Sequence, residues 1–335
     1  MKYIKIGCDL ASNSEMASQL IQNGLIDTIL DIFESEDYPE AAYQECISPI
    51  AAFAKTDVGR AHLKKRNFDL RRYAVKLDTI EDPKIHKAGV NCIKNMATEA
   101  DLDLALKGLE NLNEDDITFF SYLALCDNLV PIMVKRDIVQ KILDVLEKLM
   151  DRADAGSPLK KLAIKNLTKT LTTICNMHNP SIDRFLSLDG FKTVSRLLDL
   201  RDPEINTGLL PFIALVTEKG PDTVVPTMIT KDIPKKLCLF WESTPPLIRD
   251  LQASYSKIKN WDDLKLTSKA SNTSEEEALK KHKQLSELMQ CGFYVFHKLA
   301  QKDPKIFDSV SPQFHAASAC HLFEFKDNDL GQNVG

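Results

Sequence analysis

The chain has 335 residues, more than one hydrophobic core usually fills, so it either divides into domains or grows by stacking units. Hydrophobic residues make up 44% and charged residues 27%, and glycine numbers only 12, a balance that favours helices over a turn-rich β fold. The formal net charge of -5 lacks the basic excess that carries nucleic-acid binding, and no apolar run of about 18 residues is present to span a membrane.

In chain order, residues 1–16 contain no apolar stretch long enough for a signal peptide. The pattern opens inside a repeating phrase. A partner or a second copy is therefore expected to cover the N-terminal edge, unless Met1–Leu10 folds back over it. NGLIDTILDIFESEDYP (23–39) reads as a short amphipathic helix turning directly into the acidic-proline start of a longer one, EDYPEAAYQECISPIAAFA (36–54). The pair recurs as NFDLRRYAVKLDTIEDP (67–83) and EDPKIHKAGVNCIKNMA (81–97), and again as DGFKTVSRLLDLRDP (189–203) and RDPEINTGLLPFIALVT (201–217). The copies of the first phrase at 67–83, 136–158 and 231–246 are weaker than those at 23–39 and 189–203. Asp82 and Asp202 are placed to cap a helix, with Pro83 and Pro203 at the first helical position, where the missing N–H costs nothing. Ile85, Gly89, Val90, Ile93 and Met96 then mark one buried face, as do Ile205, Leu209, Phe212, Ile213 and Val216. Pro49 and Pro211 fall inside apparent helices and predict a kink or a late start.

The prolines that open the long helices are Pro39, Pro83, Pro158, Pro203 and Pro246, and three of their steps are 44, 45 and 43 residues. The step of 75 from Pro83 to Pro158 leaves room for one short unit, supplied by residues 110–130 with Asp115 and Asp116 near its cap. After Trp261 the pattern weakens. A polar loop is expected over 262–284, with Ser274 and Glu277 forming a capping box in its second half. A helix through 286–301 follows, then a last one from Asp303–Pro304 and a mobile tail after Lys326.

A helix–turn–helix period in the low forties resembles the armadillo-repeat family over roughly residues 8–260. The resemblance implies an all-α fold, an α-α superhelix (armadillo-like solenoid) of about six irregular repeats plus a C-terminal helical extension. Residues 1–261 would form the solenoid, 262–284 a polar insert, 285–326 the C-terminal helices that complete or cap it, and 327–335 a tail. The resemblance also implies a protein-binding groove along the long helices, where family members present Asn, and transport receptors add Trp four residues earlier. Transferred to this chain, the Asn position falls on Asn95 and the Trp position on Asn91; later units place Lys169 and Lys165, then Leu215 and Pro211, there. Asn occurs once in this ladder and Trp never, since Trp241 and Trp261 lie outside it, so an importin-like receptor for basic peptides is disfavoured. The expected groove is polar at Asn91 and Asn95, basic at Lys165 and Lys169, and apolar at Leu215.

Motifs for chemistry are missing. There is no GxGxxG, P-loop, HExxH or GxSxG. His315, Cys320 and His321 do not have a zinc-finger spacing, and the eight cysteines form no CxxC and read as free, mostly buried thiols in a reducing compartment. Asp115/Asp116 and Asp262/Asp263 read as helix caps. The basic runs at His62–Arg66, Arg71–Arg72, Lys160–Lys161, Lys235–Lys236 and Lys280–Lys283 read as solvated faces. The expectation is a cytoplasmic, non-enzymatic scaffold or adaptor with no cofactor or metal, binding protein partners. A structural subunit of a cytoskeletal or axonemal assembly and a regulator, either co-chaperone or GTPase regulator, are the alternatives.

Overall fold

A computed structural model describes residues 13–152, 157–240 and 273–303, together with Asp250 and Ala253. Every regular element among them is a helix. The chain divides into two compact units, Met1–Lys141 and Ile142–Gly335. The first holds α1 (Ser14–Gln22), α2 (Leu25–Glu34), α3 (Glu40–Phe53), α4 (Asp57–Lys65), α5 (Leu70–Asp78), α6 (Pro83–Met96), α7 (Glu99–Glu110), α8 (Glu114–Leu123) and α9 (Val130–Lys135). Helix α10 (Ile138–Asp151) spans the division. The second unit continues with α11 (Pro158–Met177), α12 (Pro180–Ser187), α13 (Gly190–Asp199), α14 (Pro203–Lys219) and α15 (Val224–Thr230). A helical stretch over 233–240 and α16 (Thr273–Lys302) complete it.

Local chemistry sets the helix starts. The Asp82 carboxylate accepts from the N–H groups of Lys84 and Ile85 at 2.7 and 3.3 Å, and Asp202 from Glu204 and Ile205 at 2.9 and 3.2 Å. Pro83 and Pro203 occupy the first turns, so the acidic-proline phrase is a cap plus a pre-set backbone. Helix α8 differs from expectation. Asn113 is its cap, accepting from the Asp116 N–H at 3.0 Å, while Asp115 and Asp116 lie in the first turn. A second device recurs at the turn into each middle helix, where one residue adopts a left-handed backbone: Gly24, Asn67, Leu112, Asp137, Asp189 and Asp232. These precede α2, α5, α8, α10, α13 and the 233–240 stretch respectively. The Asn-Gly and Asp-Gly phrases are two instances of this turn, with Gly24 left-handed in one and Asp189 in the other.

In the first unit, helices pack mainly on their sequence neighbours and on the helix one period away: α1 on α4, α3 on α6, α5 on α8. Phe33, Phe68 and Tyr73 form an aromatic cluster with centroids 5.5–6.0 Å apart, and the Tyr73 hydroxyl donates to the Ile47 carbonyl at 3.2 Å. The short stretch before α9 has no long third helix. Helix α8 fills that place by packing on α5, α6 and α7. In the second unit α11 packs on α14 and α14 on α16, while Phe185 of α12 meets Phe191 of α13 and Phe212 of α14 at 5.2 and 4.9 Å.

Helix α3 runs through Pro49 and α14 through Pro211, so of the two outcomes expected at these prolines, a kink or a late start, the late start does not occur. Helix α16 is described from Thr273, so the second half of the 262–284 insert is helical, in line with the capping-box pattern of its sequence. Met1–Leu10, Trp241, Trp261, the helix from Pro304 and the tail lie outside the described residues.

Candidate functional site

The buried side of α6 carries Gly89, Cys92, Ile93 and Met96. Its exposed side carries Lys84, Lys87, Asn91, Lys94 and Asn95. At 100° per residue these five fall within a stripe roughly 100° wide, and the rise of a helix spreads them over about 16 Å. Asn91 and Asn95 are one turn apart on that stripe, with their amides in solvent. Among the described residues none of the three lysines has a carboxylate partner.

The arginines of the same unit, by contrast, are engaged with carboxylates, most of them about one period away. Arg66 meets Asp27 at 3.2 Å and Asp31 at 2.7 Å, and His62 reaches Asp27 at 2.9 Å. Arg71 lies 2.7 Å from Asp116, and Arg136 holds Glu99 and Asp103. Within the second unit Arg196 holds Glu147 and Asp151, Lys231 holds Asp189, and Lys236 holds Asp199. Lys161 meets Asp202 at 2.6 Å. Several basic runs that read as solvated faces are therefore clamps between helices one repeat apart. Lys64 and Lys65 remain exposed.

Lys165 and Lys169 lie one turn apart on α11 in the second unit, the first half-buried and the second exposed. Leu215 does not line an apolar groove wall. It is 8% exposed and part of the core, because α14 is covered on one side by α11 and on another by α16. The Tyr294 hydroxyl of α16 donates to the Glu218 carboxylate at 3.2 Å, close to Leu215 along α14. The five predicted residues thus separate into an exposed pair on α6, a pair on α11 and one core residue.

Buried polar groups do structural work. The Tyr122 hydroxyl donates to Asp78 at 3.2 Å and lies 3.0 Å from His86 Nε2, tying α5, α6 and α8 together. Burial and the Asp78 carboxylate push the Tyr122 pKa far above its ordinary value. Burial pushes Cys46 up to about 11 and Cys92, Cys126, Cys175 and Cys291 up to about 12, so none of these thiols is poised as a nucleophile at neutral pH. Among the described residues no three His, Cys, Asp or Glu side chains are grouped to hold a metal ion, and His315, Cys320 and His321 lie outside them. Among the described residues no helix is long and apolar enough to cross a membrane.

The geometry defines an all-helical protein whose helices pack and clamp at intervals of about one repeat within each unit. No family model matches the chain, and no curated protein matches it.

Proposed function

We propose that this chain is an armadillo-like solenoid that works as a non-enzymatic protein-binding scaffold, with the exposed face of α6 as a contact surface. The observation that carries the reading is the exposed stripe of Lys84, Lys87, Asn91, Lys94 and Asn95, in which two amides one turn apart lie among three lysines without a carboxylate partner among the described residues. Amide side chains one turn apart can each donate to and accept from an extended backbone, and flanking lysines favour a partner with acidic character. The packing of α1 on α4, α3 on α6 and α11 on α14 supports a stacked arrangement of repeats.

The test is affinity capture from a cell lysate with quantitative mass spectrometry, using the intact chain, an Asn91→Ala/Asn95→Ala variant and a Lys165→Ala/Lys169→Ala variant. Loss of specific partners from the α6 variant, with thermal stability unchanged, is the expected result. An identical set of captured proteins for all three would remove α6 as the contact surface.

A further inference from the structure

A cavity of about 540 Å³ opens in the first unit between the α2–α3 turn and α5, away from the α6 stripe. Glu36, Tyr38 and Tyr43 line one side of it, and Arg71, Arg72 and Lys76 the other. Its acidic groups are mostly committed. Asp69 caps α5 by accepting the Arg72 N–H at 3.0 Å. Arg71 is matched by Asp116 at 2.7 Å, with Asp115 at 3.9 Å and the Asn113 side-chain oxygen at 2.9 Å.

Lys76 and Arg72 have no such balance. The Lys76 ammonium donates to the Phe33 carbonyl and sits 4.6 and 4.5 Å from the Phe33 and Tyr43 ring centroids, all neutral partners. Burial and the neighbouring Arg72 guanidinium push its pKa down. Arg72 touches one carboxylate, Glu36, at a long 3.4 Å, and the Glu36 side chain is 91% exposed. That carboxylate is the guanidinium's single acceptor among the described residues, and Arg72 shares the cavity lining with Tyr38, which is 51% exposed.

We infer that this cavity receives a carboxylate side chain from an acidic segment of a partner protein, with Arg72 making a two-point pair to it. Glu36 is the internal group that the incoming carboxylate displaces, and Tyr38 covers the segment's backbone or stem. The ligand's charge also relieves the repulsion between Arg72 and Lys76. The inference rests on the reading of the chain as a protein binder and adds a second contact with a stated ligand chemistry.

Fluorescence anisotropy with a fluorescein-labelled tetraglutamate peptide tests it, with tetraglutamine as the neutral control. Tetraglutamate should bind and tetraglutamine should not. Arg72→Gln should weaken binding about five-fold or more, as expected for a lost guanidinium–carboxylate pair. Glu36→Gln should strengthen it about three-fold, the sign of a removed competitor. Lys64→Gln, which removes an exposed charge elsewhere, should leave it unchanged, and circular dichroism melts should match for all variants. Absence of tetraglutamate binding, or equal affinity across the variants, overturns the inference. Competition by free glutamate as effective as that by the peptide also overturns it, by pointing to a small acid as the ligand. The measurement uses the purified chain alone, so it can fail while lysate capture succeeds, and the reverse.

Discussion

Asn206 is completely buried in α14, and neither its amide nitrogen nor its amide oxygen has a hydrogen-bond partner. A buried unsatisfied amide costs on the order of 1–3 kcal/mol, whereas an apolar side chain of similar shape carries no such penalty. Asn206→Leu should therefore raise the urea midpoint, by about 1 kcal/mol in stability. A fall of that size would mean that the amide is satisfied in solution. Thiol chemistry gives a second residue-scale expectation. With pKa values of about 11 to 12, Cys46, Cys92, Cys126 and Cys175 remain protonated at pH 8. They should resist Ellman's reagent in the native protein and react at once in guanidine. Rapid native labelling at any of them, located by peptide mapping, would contradict their burial. Free thiols were legible from cysteine spacing alone. Leu215 was not correctly placed from spacing, yet a signal existed: GLLPFIALV is apolar around the whole helix, and such a helix is covered on all sides. Its cover, α16, arrives after more than fifty intervening residues, so no local pattern announces it.

Among the elements, the long helices carry the packing, and two glycines show how. A Cβ on Gly208 would press on Thr168 Oγ1 and lie 2.6 Å from the Lys165 carbonyl oxygen, so α14 approaches the backbone of α11. The three atoms nearest a Cβ on Gly89 all belong to the Leu77 side chain, the closest at 2.4 Å, with no backbone atom among them, so a side-chain shift relieves the contact. Alanine in mid-helix gains up to about 1 kcal/mol over glycine, and a backbone clash costs about 1–3 kcal/mol. Gly208→Ala should thus destabilise the protein, and Gly89→Ala should be close to neutral in the same urea titration. The reverse order would mean that α11 and α14 do not approach this closely. The acidic-proline starts were legible because caps are local chemistry between residues two or three apart. The course of α3 and α14 past Pro49 and Pro211 was legible only as a choice between a kink and a late start, because packed neighbours decide whether a helix continues after one bond is lost. The cavity on α5 was legible only as the pair Arg71–Arg72. Glu36 and its neighbour Tyr38 join it through a contact between residues 36 apart, which sequence shows only once the period is known.

For the molecule as a whole, the period was the most informative property of the sequence. Its physical counterpart is a set of side-chain clamps, such as Lys76 to Phe33 and Lys231 to Asp189, that reach 43 and 42 residues along the chain. The division after Lys141 left no mark in the sequence, since it falls within a helix of uniform pattern. Contacts limited to near neighbours make stability a sum of local terms. Phe33→Ala, which removes a ring from the Phe68–Tyr73 cluster, should cost about 3–5 kcal/mol locally. Hydrogen exchange should then show lost protection in α2, α3 and α5, with α9 unaffected. Uniform loss across the first unit would indicate a single cooperative core instead.

Fastenings that reach about one period, as those of the first unit mainly do, have a bearing on descent. A stretch of one period can be duplicated or excised, and the rungs on either side still find matching bases and acids at the new junction.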